Sequence, residues 1–89
     1  MAESIDELRA RIADRDRALL ATLNERLGLV AELRREKERL GLPFLDPEQE
    51  RRVVEALVAA NAGPCSEEGV REIVDSVLAL TKRELERGR

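Results

Sequence analysis

Residues 4–43 read SIDELRARIADRDRALLATLNERLGLVAELRREKERLGLP. From Ser4 to Leu40 this stretch holds no proline and one glycine, Gly28. Gly41-Leu42-Pro43 then stops it, since glycine favours a helix end and proline cannot continue one. An unbroken helix over that span is about 55 Å long at about 1.5 Å per residue. A compact globule of a chain this size has a radius of gyration of about 12 Å, hence a diameter of roughly 30–35 Å. The helix therefore overshoots the globule its own chain can build. Either it bends back at Gly28, or a second chain covers what remains of its apolar stripe. The second solution is the expectation: an intertwined homodimer, long helices packed together and shorter ones wrapped around them.

Two shorter helices follow. Asp46-Pro47-Glu48-Gln49 opens one that runs to about Asn61, with Asp as N-cap, Pro at the first helical position and Gln as half of a capping box. Gly63-Pro64 breaks it. Ser66-Glu67-Glu68 opens the third, which closes among Lys82, Arg83, Arg87 and Arg89. No strand signal appears, so the fold class is all-α, three helices per chain in a dimeric helical bundle.

Composition narrows the function. The 89 residues make one domain, residues 1–89. Apolar residues reach 43% and charged ones 39%, with one Phe and neither Trp nor Tyr. That mix suits amphipathic helices, and a monomer with so few large side chains is marginal. One Cys and no His exclude a disulfide framework, a zinc cluster and the Ser-His or Cys-His nucleophile pairs. No metal or cofactor is expected. Cys65 reads as a small apolar filler. No apolar run approaches a membrane span, and Met1-Ala2-Glu3-Ser4 lacks a signal peptide's apolar core, so the protein is expected in the cytoplasm. A net charge of −3 argues against nucleic acid or an acidic membrane as partner.

The polar residues inside the apolar stripes point further. On a wheel of about 100° per residue, Ile5, Leu8, Ile12, Leu19, Leu20, Leu23, Leu27, Val30 and Leu33 share one arc. Arg9, Arg26 and Lys37 fall within it. Buried cations need partners, and three spread along one stripe suggest a cavity for an anion rather than one salt bridge. Long stems that snorkel, and pairing with Asp16 or with glutamates of the shorter helices, form the plainer reading. Glu50 falls amid Val53, Val54, Leu57 and Val58 on the second helix, where it should meet a buried Arg or a ligand hydroxyl. Thr81 and Glu84 fall within the stripe of the third, which Leu85 continues. The sum is a pocket with cations, a carboxylate and a hydroxyl between apolar walls, suited to binding a small polyanion without covalent chemistry.

Leu8-Arg9, Ile12, Asp16, Leu19-Leu20, Leu23, Glu25-Arg26, Lys37 eleven residues on, and Asp46-Pro47-x-x-Glu50 resemble the all-helical chorismate mutases. Asn61-Ala62-Gly63-Pro64 is similar to the mutase domains attached to some bacterial 3-deoxyheptulosonate-7-phosphate synthases. The resemblance implies an intertwined dimer that rearranges chorismate to prephenate, the branch step toward phenylalanine and tyrosine. It also allows a partner among the shikimate-pathway enzymes. By position, Arg26 would hold a substrate carboxylate within its own subunit, and Arg9 would reach across from the partner. Lys37 would hydrogen-bond the ether oxygen of the breaking bond. Glu50, with the Asp46 region, would hold the ring hydroxyl, and Thr81 would stand near a carboxylate.

Two positions depart from the family pattern. Gln49 stands where many relatives have Arg, and Leu85 where they have a Gln or Glu that donates to the ether oxygen. Glu84 is one residue off and would have to be protonated to donate. These changes point to a slow enzyme, or one that needs a partner. Two other readings stay open: a lyase on the same scaffold that releases pyruvate from isochorismate, and a non-catalytic dimerisation or regulatory module.

Overall fold

The computed structural model describes residues 2–88. Met1 and Arg89, the latter counted above among the closing cations of the third helix, lie outside them. Three helices follow in chain order: α1 over Ile5–Arg39, α2 over Pro47–Ala60 and α3 over Glu67–Arg87. Among the described residues there is no strand. The three-helix, all-α expectation is met.

Each helix begins at a side-chain cap, at Asp46 and Ser66 as anticipated and at Ser4 besides. Ser4 Oγ accepts the amide of Glu7 at 3.1 Å, Asp46 Oδ1 that of Gln49 at 3.1 Å, and Ser66 Oγ that of Gly69 at 3.0 Å. Each bond satisfies a donor that the first turn leaves without a helical partner. The end of α1 is a Schellman turn: the Leu42 amide donates to the Lys37 carbonyl at 2.8 Å and the Gly41 amide to that of Glu38 at 3.1 Å. It requires a left-handed residue, and Gly41 supplies it at φ 72°. In the second connection the Asn61 side chain holds the turn, accepting the Gly63 amide at 3.2 Å and donating to the Cys65 carbonyl at 2.7 Å.

α1 runs through Gly28 without a break, so the chain does not fold back there. Its 35 residues span about 52 Å. The molecule measures 59 × 27 × 16 Å with a radius of gyration of 16.6 Å, well above the roughly 12 Å of a compact chain this size. α3 packs on both α1 and α2, which do not pack on each other. The buried residues accordingly sit on α3: Val70, Val74, Thr81 and Leu85. The amino-terminal half of α1 is left largely uncovered, and Ile5, Ile12 and Leu19 are 68%, 59% and 73% exposed.

A charged clasp joins α2 to α3 on the outside. Arg71 donates to both carboxylate oxygens of Glu55, at 2.8 and 3.2 Å, and to Glu67 at 3.3 Å. Hydrogen bonding and charge from Arg71 hold the Glu55 carboxyl below its usual range. A carboxyl lowered in the fold lends stability above its unfolded pKa, and loses it as pH falls through the folded value. Arg71→Ala should therefore lower Tm slightly at neutral pH, and the gap should close in acid that protonates every carboxyl. Thermal melts across pH check this; a gap unchanged in acid would assign the effect to packing instead.

Candidate active site

Arg26, Val30, Leu33 and Lys37 recur at helical spacing and form one wall of a cavity of about 180 Å³. The α1–α2 connection adds Phe44, Leu45 and Asp46. α2 adds Gln49, Glu50 and Val53, and α3 adds Leu78, Thr81 and Lys82. Aliphatic side chains make the surface, and the charged groups are set into it.

The hydrogen bonds decide what the cavity offers. Arg26 Nη1 donates to Thr81 Oγ1 at 2.9 Å, and the Thr81 hydroxyl donates to the Val77 carbonyl at 2.7 Å. Thr81 is only 5% exposed, so the guanidinium is held by a fixed, buried acceptor. Lys37 Nζ donates to the Phe44 carbonyl at 3.2 Å and lies 5.9 Å from the centre of the Phe44 ring. Both cations are half-buried. Among the described residues neither has a carboxylate partner: Arg26 meets a hydroxyl, Lys37 a carbonyl and a ring. Their positive charge is left uncompensated inside a partly desolvated cleft, where an anion gains most from it.

Glu50, for which a buried Arg or a ligand hydroxyl was anticipated, meets a lysine. Its Oε1 lies 2.8 Å from Lys82 Nζ of α3. Lys82 escaped the helix wheel, which puts it beside the apolar stripe rather than in it; its place one turn after Leu78 was the only hint. Asp46 and Gln49 are exposed at the rim. Asp46 is engaged as N-cap, and Gln49 Oε1 accepts from Arg52 Nε at 3.0 Å.

Other residues named from the sequence stand apart. Arg9 is exposed, one turn into α1, and lies away from the cavity. Glu84 turns to Arg87 at 2.6 Å. Leu85, one turn beyond Thr81, is buried at 7% and lines no part of this cavity; its carbonyl accepts from Arg34 Nη1 at 3.2 Å. Among the described residues no grouping of His, Cys, Asp and Glu has the arrangement of a metal site.

Residues 8–86 match the family model for chorismate mutase type II. The chain belongs to the chorismate mutase type II family. Two solved chorismate mutase structures from Thermus thermophilus have the same fold. Form II aligns with a TM-score of 0.88 at 34% identity, over 96% of this chain and 97% of the Thermus chain. Form I aligns with a TM-score of 0.85 at 34% identity, over 89% and 99%. Among curated proteins none matches this chain. Within this chorismate mutase family member, then, the cavity between α1, α2 and α3 is where the two uncompensated cations face. Gln49, where the resemblance leads one to expect an Arg, lines that cavity, and Leu85 does not.

Proposed function

We propose that the chain is an isomerase that rearranges chorismate to prephenate, and that it does so as an intertwined homodimer in the cytoplasm. The observation that supports this most is the pair of half-buried cations, Arg26 and Lys37, that face one cavity with only neutral partners. Chorismate is a dicarboxylate with an ether oxygen between its two reacting halves, and it supplies the missing negative charge.

The reaction is pericyclic. The ether C–O bond breaks while a C–C bond forms within the same molecule, and no atom enters or leaves. No acid, base or nucleophile is required, which suits a cavity whose carboxylates are already engaged, Asp46 as a cap and Glu50 with Lys82. Two tasks remain. Arg26 grips one carboxylate, which selects the folded conformer whose reacting carbons lie close together. Lys37 faces the ether oxygen and stabilises the negative charge that grows there as the bond lengthens. Thr81, behind Arg26, holds the guanidinium to one direction. Glu50, with Asp46 at the rim, receives the ring hydroxyl. With Gln49 uncharged and Leu85 bringing no donor, the enzyme has fewer polar groups for its substrate than its relatives, and its turnover should be modest.

The homodimer is supported by what one chain leaves undone. The apolar side chains of the amino-terminal half of α1 are exposed, and an open groove of about 590 Å³ runs between α1 and α3 beside Leu19, Leu23, Ile73 and Val77. The cavity of about 180 Å³ is small for a ligand site, whose usual range is roughly 300–1,000 Å³, and a wall from a second copy enlarges it. Arg9, one turn into the overhanging helix, is then carried to the partner's cavity, where it adds a further cation for a carboxylate.

The test is direct. Purified protein with chorismate should consume its absorbance faster than the spontaneous reaction and yield prephenate. A rate no faster than the spontaneous one would refute the activity; pyruvate released from isochorismate would reassign it to the lyase.

A further inference from the structure

Lys82 is the third cation on the cavity wall, after Arg26 and Lys37. Its Nζ lies 2.8 Å from Glu50 Oε1, and the two side chains are 45% and 33% exposed, which puts the pair at the mouth of the cavity rather than its floor. α2 and α3 are already clasped on their outer side by Arg71 and Glu55, so the inner pair is not what docks them. An ammonium carries three N–H donors and Glu50 takes one, leaving others for a second acceptor. The neighbouring α2 residue in the cavity, Gln49, brings no charge, and its Oε1 is engaged by Arg52.

A ligand with two carboxylates and a bridging ether oxygen makes three separate demands for positive charge. Lys37 answers the ether oxygen and Arg26 one carboxylate. Lys82 is the remaining cation that this chain sets on the wall. We propose, on the reading of this cavity as a chorismate site, that Lys82 is a ligand-binding residue: its ammonium takes the second carboxylate of the dianion, beside the Arg9 that a second copy brings in, while Glu50, across the α2–α3 cleft, orients it. Before binding, Glu50 neutralises the lysine; after it, one ammonium bridges Glu50 and the ligand. An exchange of this kind gives affinity for dianions over monoanions, because a monoanion satisfied by Arg26 has nothing to offer Lys82.

The experiment is calorimetric titration with an oxabicyclic dicarboxylate that mimics the transition state, beside steady-state kinetics on chorismate. Lys82→Gln should bind the mimic about tenfold more weakly, the scale of one partly exposed charge-assisted hydrogen bond, and should raise KM more than it lowers kcat. Lys82→Arg should retain binding. The double variant Glu50→Gln with Lys82→Gln should remain about tenfold weaker than Glu50→Gln alone, since the lysine contacts the ligand itself. Unchanged binding in Lys82→Gln, or a loss that vanishes in the Glu50→Gln background, would overturn the assignment and make Lys82 merely the partner of Glu50. The two readings fail separately. A wild type that turns over chorismate while Lys82→Gln is unaltered removes only the lysine. A wild type that binds the mimic through Lys82 without turnover removes only the activity. A wild type that does not bind the mimic removes both.

Discussion

Lys37→Ala should lower kcat on chorismate by about two to three decades, which corresponds to roughly 3–4 kcal/mol of transition-state stabilisation. The size follows from the setting of the ammonium. It is half-buried, faces the cavity, and meets only the Phe44 carbonyl and ring. Among the described residues no carboxylate is paired with it. The ether oxygen is nearly neutral in bound chorismate and gains negative charge only as the C–O bond lengthens, so the loss falls on kcat more than on KM. Among the described residues Lys37 makes no ion pair, so helicity by circular dichroism should stay unchanged in the variant. A kcat equal to that of the wild type would remove Lys37 from the chemistry.

Ile12→Asp should separate the proposed dimer and abolish mutase activity with it. Ile12 is 59% exposed on a helix face that its own chain leaves bare, between Ile5 and Leu19 in the same position on the wheel. Burying such a side chain against a second copy is worth about 1.5–3 kcal/mol, and a carboxylate buried there costs several kcal/mol more. Twofold symmetry counts the change twice. The sum exceeds about 5 kcal/mol, or more than three decades in the dissociation constant. The released monomer has only Val70, Val74, Thr81 and Leu85 buried among its described residues, so helix content and Tm should fall along with activity. Sedimentation equilibrium, circular dichroism and the chorismate assay read the three effects. A variant that still sediments as a dimer, or a wild type that is active as a monomer, would refute the arrangement.

What the sequence makes legible here is what is local. Asp46 and Ser66 mark helix starts because a cap is a bond between a side chain and an amide three residues on. Gly41 marks the end of α1 because only a residue without Cβ takes that turn freely. The helix wheel also works where a stripe faces its own chain. Arg26, Lys37, Glu50 and Thr81 fall among apolar positions, and all four side chains line the cavity. It fails where geometry depends on a second element. Lys82 lies to one side of its stripe and reaches inward only because α2 brings Glu50 across to it. Glu84 lies within the stripe, yet its carboxylate turns to Arg87, a nearer charge three residues along. Arg9 shares the apolar arc of α1, but that end of the helix extends past its own chain's packing, so no periodicity can say what it touches.

The two connections are unequal ground for protein engineering. The one after α1 grips Lys37 twice, its carbonyl by the Leu42 amide and its ammonium by the Phe44 carbonyl, and it ends at Asp46, which starts the helix bearing Glu50. Its length therefore works as a ruler, setting how far the ammonium of one helix stands from the carboxylate of the next. An insertion there would detune both at once. The turn at Gly63 and Cys65 touches no wall of the cavity. New termini, an affinity tag or a fused second enzyme belong at that far turn, with the Asn61 clamp kept, because exposed loop tips accept added chain while the spacing of the reacting groups stays as it was.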